Sequence, residues 1–182
     1  RELVNTITSN PNDNFLDTIV NGGGNDEFSH SQGSEVAGSS SIIWDGTGDT
    51  EGANDNGLGG MDFTQGGAFT GIGVDIPFDD LSVDVDFTFT NAGGDSASST
   101  LSLGGGITST QHRFLPYSDF SGTTSVISSA DALVMDVNGL EGLDLNLDLV
   151  ATDTSVPTPG TLALLGVGLM GIGTVAGRRG QR

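Results

Sequence analysis

Leu81-Ser82-Val83-Asp84-Val85-Asp86-Phe87-Thr88-Phe89-Thr90 alternates apolar and polar residues without a single error. A period of two places Leu81, Val83, Val85, Phe87 and Phe89 on one face of a strand and the Ser, Asp and Thr residues on the other. A helix would scatter both sets around its circumference. The stretch is therefore a strand with one dry face and one wet face. The same arithmetic predicts one strand over Leu143 to Leu149, where Leu143, Leu145, Leu147 and Leu149 alternate with Asp144, Asn146 and Asp148. Leucine favours helices, but a strict period of two outweighs intrinsic propensity.

Shorter segments follow the rule. Leu133, Met135 and Val137 alternate past Asp136, Ile72, Val74 and Ile76 past Asp75, and Leu101 and Leu103 past Ser102. Leu3 to Ser9, Phe15 to Val20, Glu27 to Ser31 and Ser40 to Trp44 are further strand candidates. Turn formers separate them, among them Asn21-Gly22-Gly23-Gly24, Asn91-Ala92-Gly93-Gly94-Asp95 and Gly104-Gly105-Gly106. Roughly nine or ten half-dry strands with Gly-rich turns and no amphipathic helix predict an all-β fold, an antiparallel β-sandwich of jelly-roll type.

Charge divides the chain. All 24 Asp and Glu lie at or before Asp153, the chain has no Lys, and three of its five Arg fall in the last five residues. A body so poor in cations cannot neutralise phosphates, which argues against nucleic acid and anionic membrane surfaces as partners. Such a charge favours solubility and multivalent counter-ions. With no Cys, a disulfide scaffold, a thiolate metal site and a Cys nucleophile are excluded.

The composition changes after Asp153. Residues 154–160 read TSVPTPG, a linker that resists helix and sheet. Thr161 to Ala176 then runs sixteen residues without a charge. As a helix this run would extend about 24 Å, against about 30 Å of hydrocarbon core. Arg178 and Arg179 follow, as a stop-transfer pattern requires. The expected organisation is an acidic β-sandwich over 1–153, a linker over 154–160, a single transmembrane helix over 161–177 and a basic cytoplasmic tail over 178–182. Gly173 and Gly177 form a GxxxG step, a match of little meaning where Gly is so frequent. The alternative is that the apolar run is a buried strand or helix of the same domain.

The order Val156-Pro157-Thr158-Pro159, apolar run, Arg178-Arg179 resembles the PEP-CTERM sorting signal. Thr158 stands where that signal's name has Glu, and Gly180 and Gln181 interrupt the basic cluster. The resemblance covers about 27 residues of the tail. It implies a Gram-negative bacterium that makes exopolysaccharide, and an exosortase as partner. It also implies passage through the inner membrane and then the cell surface or the extracellular matrix of a biofilm. The sequence opens on Arg and not Met, so an upstream signal peptide is expected from the nature of the tail. In the body, Ser29-His30-Ser31-Gln32-Gly33, Ile43-Trp44-Asp45-Gly46, Gly57-Leu58-Gly59-Gly60-Met61-Asp62 and Asp119-Phe120-Ser121-Gly122 resemble segments of exported proteins with such tails. They also resemble carbohydrate-binding jelly-rolls of the galactose-binding type.

Several residue sets could carry chemistry. Asp45, Asp49 and Glu51 lie in a Gly-containing loop of the kind that holds calcium, although the spacing is not that of an EF-hand. The alternative is a solvated acidic loop. Residues 21–29 resemble one nonapeptide of a calcium-binding β-roll, but such repeats are stable only when stacked. Trp44 and Tyr117 are the large amphipathic aromatics that could stack on a sugar. Trp44 closes the apolar stretch Ile42-Ile43-Trp44 and reads more readily as a core anchor, while Tyr117, in a loop, is the better sugar candidate. Ser29 and Ser31 flank His30 but point to the opposite strand face, so they form no triad with it. Carboxylates are too abundant for any pair of them to argue for glycoside hydrolysis. No other catalytic motif is present, and we expect a non-enzymatic surface or matrix protein, or else an exopolysaccharide-binding module with calcium as its one conceivable cofactor.

Overall fold

The computed structural model describes residues 2–20, 27–46 and 57–154. The expected transmembrane and sorting segments, and most of the calcium candidate, lie outside these residues. No helix among the described residues is long and apolar enough to cross a membrane.

The described residues form thirteen strands in two layers, and every strand pair among them is antiparallel. The first layer runs β1 (Glu2–Ser9), β4 (Ala37–Trp44), β11 (Ala132–Gly139), β7 (Ser82–Thr90), β8 (Ser96–Gly104) and β10 (Ser121–Gly122), in that spatial order. The second layer has two parts. One is β2 (Leu16–Val20), β3 (Phe28–Gln32), β12 (Asp144–Leu147) and β6 (Phe78–Asp79); the other is β13 (Leu149–Asp153), β5 (Gly71–Ile76) and β9 (Gln111–Pro116).

The two parts share one register. Leu145 lies opposite Asp79 and Leu149 opposite Asp75, four residues further along both strands. The ladder is interrupted beside Pro77, which has no N–H to give, while the Asp148 amide reaches past it to Asp75 O at 2.9 Å. The single strand expected over Leu143 to Leu149 is thus two strands, broken at Asp148 by a proline on its neighbour. The sequence reading missed β9 because Gln111-His112-Arg113-Phe114-Leu115-Pro116 shows no alternation.

The core lies between the layers. Along β7, Val83, Val85, Phe87 and Phe89 are buried, as their period predicted. Ile42, Met135 and Phe87 share one row across β4, β11 and β7. Ile72, Val74, Ile76, Leu145 and Leu147 face them from the second layer in the same apolar cluster. The Asn91–Asp95 turn closes the β7–β8 hairpin: Asn91 Oδ1 accepts the Asp95 N–H at 3.0 Å, and Gly94 takes φ +82°, a conformation other residues rarely adopt. The wet face of the first layer bonds across its strands. Ser102 Oγ donates to Asp84 Oδ1 at 2.6 Å, Asn138 Nδ2 donates to Asp86 Oδ2 at 3.0 Å, and Ser41 donates to Asp136.

Phe87→Ala removes a fully buried ring from the centre of this core. It should cost about 3–5 kcal/mol. Thr88→Ala, on the wet face, should stay within about 1 kcal/mol. Urea unfolding of both variants measures the contrast.

Candidate functional site

The first layer ends at Trp44 and Leu133, which face each other across β4 and β11. Between this end and β13 lies an apolar pocket of about 290 Å³. Trp44 and Leu133 form one wall, and Val150, Ala151 and Thr152 of β13 form the other. Leu58, Met61 and Phe63 form a lip above them. β13 pairs with β5 alone among the described strands, so its other edge leaves backbone donors and acceptors for a ligand.

Hydrogen bonds fix the lip. Met61 and Ala130 exchange bonds of 2.8 and 2.9 Å, and Phe63 N donates to Ile127 O at 3.0 Å. Asp131 accepts from Gly60 N at 2.9 Å and from Ala92 N at 2.7 Å, tying the lip to the β7–β8 turn. Asp62 accepts from Thr64 Oγ1 at 2.6 Å and from Gly66 N at 2.8 Å, and these bonds hold its carboxyl below the ordinary carboxylate range. Met61 nevertheless remains 46% exposed, so the pocket mouth presents an apolar surface to solvent.

Trp44 is half-buried, packed on the core while lining this pocket. Tyr117 is placed differently. It begins the 3-10 turn Tyr117–Asp119, and its ring meets Phe89 and Phe120 edge-on at 6.1 and 6.0 Å. Its hydroxyl donates to Phe63 O at 3.2 Å, and burial, helped by the Asp62 charge, pushes its pKa up to about 12. The tyrosine therefore buttresses the lip from behind. Asp45 is buried, at 1% exposure, whereas Asp49 and Glu51 lie outside the described residues. Among the described residues no group of three or more His, Cys, Asp or Glu is placed to hold a metal ion.

Both histidines have partners that the sequence did not reveal. His30 points inward from β3, where Gln32 Nε2 donates to its Nε2 at 2.9 Å and to Gly38 O at 2.9 Å. The remaining proton sits on Nδ1 and is donated to Ser40 Oγ at 2.7 Å; Ser40 donates onward to Asn5 Oδ1 at 2.8 Å. Thr18 Oγ1 completes the set at 2.6 Å from Ser40. A Ser–His contact of this length resembles a nucleophile and its base. Here Ser40 is 1% exposed and His30 fully buried, so no substrate reaches the pair. Its role is to satisfy polar groups inside the sandwich. The sequence signal was faint: Phe28, His30 and Gln32 share the inward period of β3, but nothing local links them to Ser40.

His112 lies on the outer face of the second layer. Its Nδ1 is 2.7 Å from Asp75 Oδ1, and its Nε2 is 3.2 Å from Asp153 Oδ2. The three meet above Gly73, where a Cβ would come within 2.8 Å of Asp153 Oδ2. This contact ties β9 and β5 to the end of β13. Asp79 is fully buried and burial raises its pKa; Gly105 N donates to its Oδ2 at 3.2 Å.

No protein-family model matches the chain, and no curated protein matches it. Solved structures do resemble it. The family 11 carbohydrate-binding module of the cellulosomal cellulase Lic26A-Cel5E of Clostridium thermocellum aligns over 87% of this chain and 89% of its own, at 7% identity and a TM-score of 0.46. A family 11 module from the same organism, in complex with a β-1,3-1,4-mixed-linked tetrasaccharide, aligns over 82% and 89%, at 11% identity and a TM-score of 0.43. Likeness at this level carries no argument about ligand. The all-β antiparallel sandwich rests on the strand pairing described above.

Burial pulls the His30 pKa down to about 4 from 6.5, against a smaller opposing effect of Asp144. Between these values an unfolded chain takes up a proton that the folded chain refuses. The network's contribution is therefore complete above pH 6.5 and is lost as pH falls toward 4, on the order of 3 kcal/mol in all. Asp79, with its raised pKa, acts in the opposite sense: its contribution is present in acid and lost as pH rises through its folded pKa. Urea midpoints at pH 7 and pH 5 should fall more for the native chain than for His30→Gln.

Proposed function

We propose that this chain is a non-enzymatic carbohydrate-binding module that takes a sugar residue in the Trp44 pocket. One observation carries the reading: an indole lines an open pocket whose lip is fixed by hydrogen bonds before any ligand arrives. Sugars offer apolar ring faces that stack on such rings, and their hydroxyls suit backbone groups such as those on the free edge of β13. Exopolysaccharide is the proposed ligand class. Trp44 is the only tryptophan in the chain, so its fluorescence reports this pocket alone. Titration with soluble polysaccharides should give a saturable change in emission, and Met61→Asp should weaken it. Emission that stays flat with every polysaccharide tested would sink the reading.

A second reading, compatible with the first, concerns the tail. The order of Val156-Pro157-Thr158-Pro159, an uncharged apolar run and Arg178-Arg179 supports export, membrane anchoring through 161–177 and processing by an exosortase. Under this reading the acidic body reaches the cell surface or matrix of a Gram-negative bacterium. Mass spectrometry of the precursor, expressed with and without the exosortase, should show loss of the residues beyond Pro159 only when the enzyme is present. An intact cytoplasmic chain in both hosts would rule this route out.

A further inference from the structure

The lining of the Trp44 pocket narrows the kind of sugar it accepts. Of the described side chains around it, Thr152 alone carries a hydroxyl, and the rest are apolar apart from the indole N–H. A bare hexose buried against such walls would leave most of its hydroxyls without partners, and each such loss is costly. A sugar bearing an acetyl group or a deoxy-sugar methyl offers instead an apolar knob, with few polar atoms to satisfy. At about 290 Å³ the pocket lies at the small end of ligand sites and suits one substituted residue better than a run of chain.

Charge narrows it further. Asp62 follows Met61 on the lip, and Asp153 follows Thr152 at the end of β13. Among the described residues Arg113 is the only Arg or Lys, and its guanidinium is bonded to Gln111 Oε1 at 2.7 Å. It stands on β9, two strands from the pocket's β13 wall. Among the described residues no cation at the mouth answers an anionic sugar, and the nearby carboxylates repel one.

We infer that the Trp44 pocket selects an uncharged glycan carrying small apolar substituents, an O-acetyl, N-acetyl or deoxy-sugar methyl group, and rejects uronates. This inference rests on the carbohydrate-binding reading and adds to it a substrate class. The substituent enters beneath Met61, against Trp44 and Leu133, while the ring hydroxyls stay at the mouth near Thr152 and the free edge of β13.

The test uses the whole chain and three probes: an O-acetylated glucomannan, the same polymer after alkaline deacetylation, and polygalacturonate. Trp44 emission and retardation in affinity gels read the binding. The acetylated polymer should bind about tenfold more tightly than the deacetylated one, as expected for burying a methyl and its carbonyl carbon. Polygalacturonate should not bind, and Met61→Asp, at a half-exposed position that spares the core, should remove the preference. Equal binding of the acetylated and deacetylated polymers overturns the inference and leaves the carbohydrate reading standing. Binding of polygalacturonate as tightly as the acetylated polymer also overturns it. Failure of all three to bind overturns both.

Discussion

The register of β11 between β4 and β7 is the constraint on which the sandwich depends. It aligns Met135 with Ile42 on one side and Phe87 on the other, all three in the core. The next row outward contains Ser41, Asp136 and Asp86. A slip of β11 by one residue would drive the Asp136 carboxylate into the apolar cluster. Burying an unpaired carboxylate costs far more than any single pairing returns. The aspartates thus specify the fold by what they forbid, while the leucines, valines and phenylalanines drive collapse. The second layer is set against this frame, and its long ladder keeps register across Pro77 although the proline removes a hydrogen bond.

This explains which parts of the fold were legible in sequence. Where one face is dry and the other wet, alternation is strict, and β7, β11 and β5 were read correctly from it. β9 was invisible because its Gln-His-Arg start lies at an exposed sheet edge, where burial imposes no pattern. The break in the leucine repeat was invisible for another reason: its cause, Pro77, lies about seventy residues away along the chain and acts through the ladder. Local sequence cannot report what a neighbouring strand withholds.

The candidate site was less legible still. Trp44 could be named, but whether its ring met the core or the solvent depended on where residues 57–63 crossed, and Asp131, just before β11, holds that crossing through Gly60 and Leu58. Tyr117 looked the freer aromatic because Pro116 and Ser118 flank it. Its ring instead joins Phe89 and Phe120, and its hydroxyl is occupied by the lip that shapes the pocket. The Ser40–His30 contact joins two strands through a buried network. Its chemistry resembles catalysis, but its burial makes it structural.

The wet face of the first layer sets Asp86 directly opposite Asp136, with Asp84 one row away. Like charges so placed lower the stability of a sheet, and serine, threonine and asparagine partners only soften the effect. The same stripe governs how molecules meet. Two copies approaching face to face bring six carboxylates together, and their repulsion reaches about 8 Å at physiological ionic strength. A dense layer of these domains would therefore remain hydrated and evenly spaced, thinning or swelling with the salt around it. The sandwich behaves outwardly as a polyelectrolyte and inwardly as an ordinary folded core.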